Sequence, residues 1–102
     1  MRIIAKSTLV KFWETPGCED AEVPLKSWHD VVLKASWKTP QEMKRQIGTA
    51  SICRNNRVVF NIAGNKYRLV VEMQYRAGIA WVKFIGTHQH YDEINVETIN
   101  DY

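Results

Sequence analysis

The chain has 102 residues, a length that suits one domain around one core, and 45% of them are hydrophobic, with four tryptophans available to fill it. The N-terminal MRIIAKSTLVKFWE interleaves charges too often for a secretory segment, and no run approaches the ~20 apolar residues that span a bilayer, so a soluble, cytoplasmic protein without a membrane partner is expected. Cys18 and Cys53 make neither a disulfide framework nor a Cys-x-x-Cys metal site, and reduced, packed thiols are expected.

The net charge of +3 is unevenly spread. Residues 1–37 balance five bases against five acids, residues 38–76 carry eight bases against Glu42 and Glu72, and residues 77–102 set Lys83 against four acids. A basic middle suggests a polyanionic partner, because phosphate contacts supply affinity without regard to sequence. A solvated basic surface would have the same composition.

In chain order, Arg2 to Ala5 is a β-branched run that predicts a first strand. Ser7 is a plausible cap for a helix with Leu9, Val10, Phe12 and Trp13 on its inner side, and Thr15-Pro16-Gly17 stops it. Leu25, Trp28, Val32 and Ala35 recur at helical spacing, with Asp20 or Val23 as a start and Pro24 in the first turn. Trp28 and Trp37 read as core residues. Thr39-Pro40-Gln41-Glu42 predicts a third helix with a capping box, ending near Gly48. A brief extended segment over 50–54 then precedes an Asn55-Asn56 turn.

The stretch from Arg57 to Asp92 predicts three consecutive strands. With Gly64-Asn65 as a two-residue turn, Ile62 pairs with Tyr67, Asn61 with Arg68 and Phe60 with Leu69, which gathers Val58, Phe60, Ile62, Tyr67, Leu69, Val71 and Met73 on one apolar face. With Ala77-Gly78 as the second turn, Met73 pairs with Val82, Glu72 with Lys83, and Arg68 with Thr87. The whole is an α+β domain over residues 1–102. A short N-terminal strand and a three-stranded antiparallel meander are packed on one face by two to three N-terminal helices.

On the opposite face this register aligns Asn61, Arg68 and Thr87, followed directly by His88, His90, Tyr91 and Asp92. Strand scission through a ribose 2′-hydroxyl needs a base, an acid and cations around the phosphate. Arg68 suits the phosphate, His88 suits either proton-transfer role, Tyr91 suits stacking on a base, and Asp92 suits orienting an imidazole or acting as base. Two other readings stay open. His88, His90 and Asp92 on a strand would point one way and could bind a metal, or these residues could be structural, with His90 a bystander.

The run RVVFNIAGNKYRLVVEMQY followed by IAWVKFIGTHQHYDEI resembles the HigB-type toxins of bacterial type II toxin–antitoxin systems, within the RelE/ParE superfamily, and LKSWHDVVLKASWKTPQEMK is similar to that family's tryptophan-containing helix and short capped helix. The resemblance covers roughly residues 7 to 94. It implies a RelE-like fold and a metal-independent endoribonuclease, with no cofactor, that cleaves mRNA on the ribosome. It also implies a HigA-like helix-turn-helix antitoxin as partner, and contact with operator DNA only through that complex. Asn61, Gly64, Asn65, Tyr67, Arg68, Thr87, His88, Tyr91 and Asp92 match the family pattern, whereas His90 falls at a variable place. The catalytic set expected is Arg68, His88, Tyr91 and Asp92, with Arg54, Arg57, Asn61, Lys66 and Thr87 contacting RNA or ribosome. The alternative is a non-catalytic module that binds RNA, the ribosome or the antitoxin.

Overall fold

Period-two apolar alternation in the C-terminal half builds a five-stranded sheet, and the helical segments of the N-terminal half cover one side of it. The computed structural model describes residues 1–102. Its elements are β1 (Arg2–Ile4), α1 (Lys6–Trp13), a 3-10 turn (Glu19–Ala21), α2 (Glu22–Lys34), α3 (Pro40–Gln46), β2 (Ser51–Ile52), β3 (Arg57–Ile62), β4 (Tyr67–Gln74), β5 (Ile79–Thr87) and α4 (His88–Tyr91). The sheet runs β1-β5-β4-β3-β2, with β1 parallel to β5 and every other pair antiparallel. The sheet is therefore mixed, where an antiparallel one was expected, because the first strand enters at the far edge alongside the last.

The first hairpin has the predicted register: Asn61 pairs with Arg68, Phe60 with Leu69 and Val58 with Val71. Lys66 N–H donates to the Ala63 carbonyl at 3.2 Å, and Gly64 sits at φ +67°. A β-branched side chain is poorly tolerated in that left-handed region, where L-residues pay about 1–2 kcal/mol. Gly64→Val is therefore expected to lower the melting temperature by roughly 4–8 °C per kcal/mol lost. A melting curve superimposable on wild type would count against the tight turn.

The second hairpin departs from prediction. Its loop is four residues, Tyr75 to Gly78, with Gly78 at φ +68° and its N–H donating to the Tyr75 carbonyl at 3.2 Å. Gln74 therefore pairs with Ile79, Met73 with Ala80 and Glu72 with Trp81, two residues from the expected partners. A bulge follows: Val71 faces Val82 but Val70 faces Phe84, so Lys83 is the extra residue. Beyond it alternation is inverted. Ile85 joins the helix-side core while Phe84 turns to the opposite face, the reverse of expectation. Arg68 consequently faces Gly86, and Thr87 faces Tyr67. Gly86 is where glycine is needed for space, since a Cβ there would lie 2.6 Å from the Phe84 ring.

On the helix side, Leu9, Leu25, Val32 and Met43 interlock with Phe60, Leu69, Val71 and Val82, and Trp28 and Trp37 are core residues at 6% and 5% exposure. The capping box at Thr39 and Glu42 forms as predicted. Ser7 does not cap: α1 begins at Lys6, after Ala5, because Thr8 N–H closes the first turn on the Ala5 carbonyl.

The other face of the sheet is not open. Residues 92–102 cross it as a strap whose Ile94, Val96 and Ile99 pack on Val59, Val70 and Phe84. Arg57 Nη1 donates to the Val96 and Ile99 carbonyls, Asn55 Nδ2 donates to the Glu97 carbonyl, and Asp101 N–H donates to the Lys83 carbonyl. Lys83, 5% exposed, donates to Asn100 Oδ1 at 2.8 Å and lies 3.7 Å from the centre of the Trp81 ring. Burial pulls its ammonium below the usual lysine range.

Candidate functional site

The candidate residues meet where three pieces of chain end together: the 63–66 turn, the start of β4, and the step from β5 into α4. Thr87 leaves the strand in extended conformation and its Oγ1 accepts from His90 N–H at 3.2 Å, so a hydroxyl expected to touch RNA is the cap of α4. His88 N–H donates to the Lys66 carbonyl at 3.1 Å, which joins α4 to the turn.

Arg68 projects from β4 beside Tyr91, its guanidinium carbon 5.9 Å from the centre of the ring. Nη1 donates to the Asn65 and Tyr67 carbonyls at 3.2 and 3.3 Å, and Nη2 reaches Asn65 Oδ1 at 3.4 Å. These contacts restrict the guanidinium to the mouth of the turn. The five N–H donors of a guanidinium are not exhausted by them, so a bound phosphate could still be met. Tyr91 is half-buried against Val59, Val70 and Phe84. Burial, then the neighbouring Cys53, pushes its phenol above the ordinary tyrosine range, while Arg68 opposes the shift. Tyr91 is thus a neutral hydroxyl and an aromatic face.

His88 and Asp92 are four residues apart on one helical turn, with Nε2 3.7 Å from Oδ1 and more than half of each side chain exposed. That separation exceeds hydrogen-bond reach. The two are neighbours, not a locked pair. Because residues 88–91 are helical, each step of two turns the side chain by roughly 200°. His90 therefore points away from His88 and Asp92, and the strand geometry behind a His-x-His-x-Asp metal site does not occur. No group of three or more His, Cys, Asp or Glu side chains comes together to hold a metal ion.

The remaining expected residues divide. Asn61 is exposed beside Arg68 across the β3–β4 pairing, and it also borders a groove of about 330 Å³ shared with Trp28, Ile47 and Phe60. Arg54 is exposed in the β2–β3 connection. Lys66 is exposed but paired with Asp20. Arg57 is a correction: it is 6% exposed beneath the strap, its Nη2 3.7 Å from Glu72, and it is not placed to meet RNA. Asp20 and the strap were not found by sequence reasoning, because contacts 46 or 42 residues apart leave no local periodicity.

No groove or cavity is lined by Arg68, His88, Tyr91 or Asp92. The cluster stands on an open surface, a shape suited to a polymer or macromolecular complex more than to a small molecule enclosed on all sides.

A mixed sheet, helices on one face and a polar cluster where the last strand ends define a RelE-like toxin domain. A family model for HigB toxins, described as the RelE-like toxic component of a toxin-antitoxin system, matches residues 21–94, and the chain belongs to that family. A comparison with curated proteins finds no match. The family match includes every candidate site residue and stops before most of the strap.

Proposed function

We propose that this toxin is a ribosome-dependent, metal-independent mRNA endoribonuclease that halts translation in the cytoplasm and is neutralised by a HigA-like helix-turn-helix antitoxin. Operator DNA is reached only through that complex. The observation that carries the proposal is the Arg68 guanidinium, held at the turn and lying over Tyr91, on the same open surface as the His88–Asp92 pair.

In this reading Arg68 holds the scissile phosphate and offsets the charge that grows on its oxygens as the 2′-oxygen attacks. One member of the His88–Asp92 pair takes the 2′-hydroxyl proton. The bond from phosphorus to the 5′-oxygen breaks, and that oxygen receives a proton from a protonated group of the site. Tyr91 supplies a ring for base stacking or a hydroxyl for the phosphate. Arg54, Lys66 and Asn61 add contacts to RNA or ribosome around this centre.

Primer extension on an mRNA translated in vitro tests the proposal. Wild type is expected to give defined cuts that vanish without ribosomes, and His88→Ala, shown folded by circular dichroism, to reduce them by about 10²–10⁴-fold, the usual range for a proton-transfer group. Translation arrest on intact mRNA would replace the enzyme with a non-catalytic module that binds the ribosome.

A further inference from the structure

We propose that Asp20, in the 3-10 turn ahead of α2, is a positioning residue that holds the Arg68–His88 surface in register with the helical layer. This rests on the ribonuclease reading of that surface. Its side chain grips two adjacent residues of the hairpin: Oδ1 accepts from the Tyr67 hydroxyl at 2.5 Å, and Oδ2 pairs with the Lys66 ammonium. Lys66 and Tyr67 carry two of the three carbonyls that hold the site, the first accepting from His88 N–H at 3.1 Å and the second, with the carbonyl of Asn65 next to Lys66, from Arg68 Nη1 at 3.3 Å. One carboxylate is therefore a single residue away from both the imidazole-bearing helix and the guanidinium.

The carboxylate is itself fixed. Gly17 N–H donates to both Glu19 carboxylate oxygens at 3.1 and 3.0 Å, and Ala21 N–H donates to the Cys18 carbonyl at 3.0 Å, so the turn presenting Asp20 is closed on either side. Its target is equally fixed. The Tyr67 ring is 1% exposed and meets Phe12 edge-on at 5.2 Å, and its phenol is pushed up to about 12 by burial and by Asp20, so it remains a donor. A fold anchor alone would need only the Tyr67 bond. The second contact goes to a lysine whose side chain is 55% exposed, where an ion pair adds little stability. Orienting the turn accounts for both.

The test compares Asp20→Ala, Asp20→Asn and, as a control, Asp30→Asn, which removes another surface carboxylate from the helical layer. In ribosome-programmed cleavage, Asp20→Ala is expected to lower kcat about tenfold to a hundredfold, the scale of a small misplacement of reacting groups, with KM within about twofold. Asp20→Asn, which keeps an acceptor for Tyr67, is expected to fall between Asp20→Ala and wild type, and Asp30→Asn to match wild type. Amide exchange at His88 is expected to accelerate in Asp20→Ala while the Phe60 amide in β3 keeps its protection. If both Asp20 variants fold poorly, Tyr67→Phe takes their place with the same readouts. Wild-type protection at His88, or a kcat loss that disappears well below the variant's melting temperature, would overturn the proposal. If wild type itself cuts no mRNA, the ribonuclease reading falls, and His88 amide exchange alone still decides whether Asp20 positions this surface.

Discussion

Arg57→Ala is expected to lower the melting temperature by more than about 10 °C. Arg57 is one of two cations beneath the strap, with two carbonyls and Glu72 as partners and only 6% of its surface in water. Removing one member of a buried ion pair costs about 3–5 kcal/mol, and Glu72, whose side chain keeps a quarter of its surface, places this case near 3. At about 4–8 °C per kcal/mol for a domain of this size, the shift is large. The strap should loosen with it, since the Val96 and Ile99 carbonyls lose their donor. Thermal denaturation together with amide exchange over residues 96–101 measures both effects. Arg54→Ala, by contrast, is expected to leave stability nearly unchanged while reducing the salt dependence of RNA binding by about one phosphate contact. Equal melting temperatures for the two variants would mean that Arg57 is not a structural cation.

The second large effect concerns Arg68. Arg68→Ala is expected to reduce single-turnover mRNA cleavage by about 10²–10³-fold, the loss typical of removing one preorganised charge-stabilising donor. Arg68→Lys is expected to recover only part of this, because an ammonium keeps the charge but lacks the planar fork that Asn65 and the Tyr67 carbonyl orient. The loss should fall on the chemical step more than on binding, since Arg54 and Lys66, the other cations proposed to contact RNA, are left in place. Full recovery by lysine would reduce Arg68 to a point charge. Wild-type cleavage by Arg68→Ala would remove it from the site.

The first hairpin was legible in the sequence because a glycine-containing turn and six cross-strand pairs all favour one register. The second was not. A four-residue loop and a two-residue loop place the same Ala77-Gly78 dipeptide one step apart, and nothing local in WVKFIG marks Lys83 as a bulge. That single extra residue exchanged Phe84 with Ile85, and together with the two-residue shift of the loop it moved Arg68 from Thr87 to Gly86. The candidate residues still come together because His88, Tyr91 and Asp92 follow the last strand whichever residue faces Arg68. Arg57 was misplaced for a different reason: a count of charges cannot tell an exposed arginine from one beneath a distant strap. The strap itself, DEINVETINDY, has too few apolar residues at regular spacing to announce that it packs.

The parallel pairing of β1 with β5 has a consequence for how the molecule assembles. Arg2 meets Ile79 and Ile4 meets Trp81, so the strand made first must wait for the strand made last. Loop closure over such a separation is entropically costly and slow. Until it happens, nine-residue β5 has a bare outer edge, open to association with other chains. Once docked, three-residue β1 closes that edge over 79–81, the third of β5 remote from the cluster. Two late dockings, β1 at one end of the last strand and the strap at Lys83, thus finish the sheet and leave Val82 to Gly86 buried.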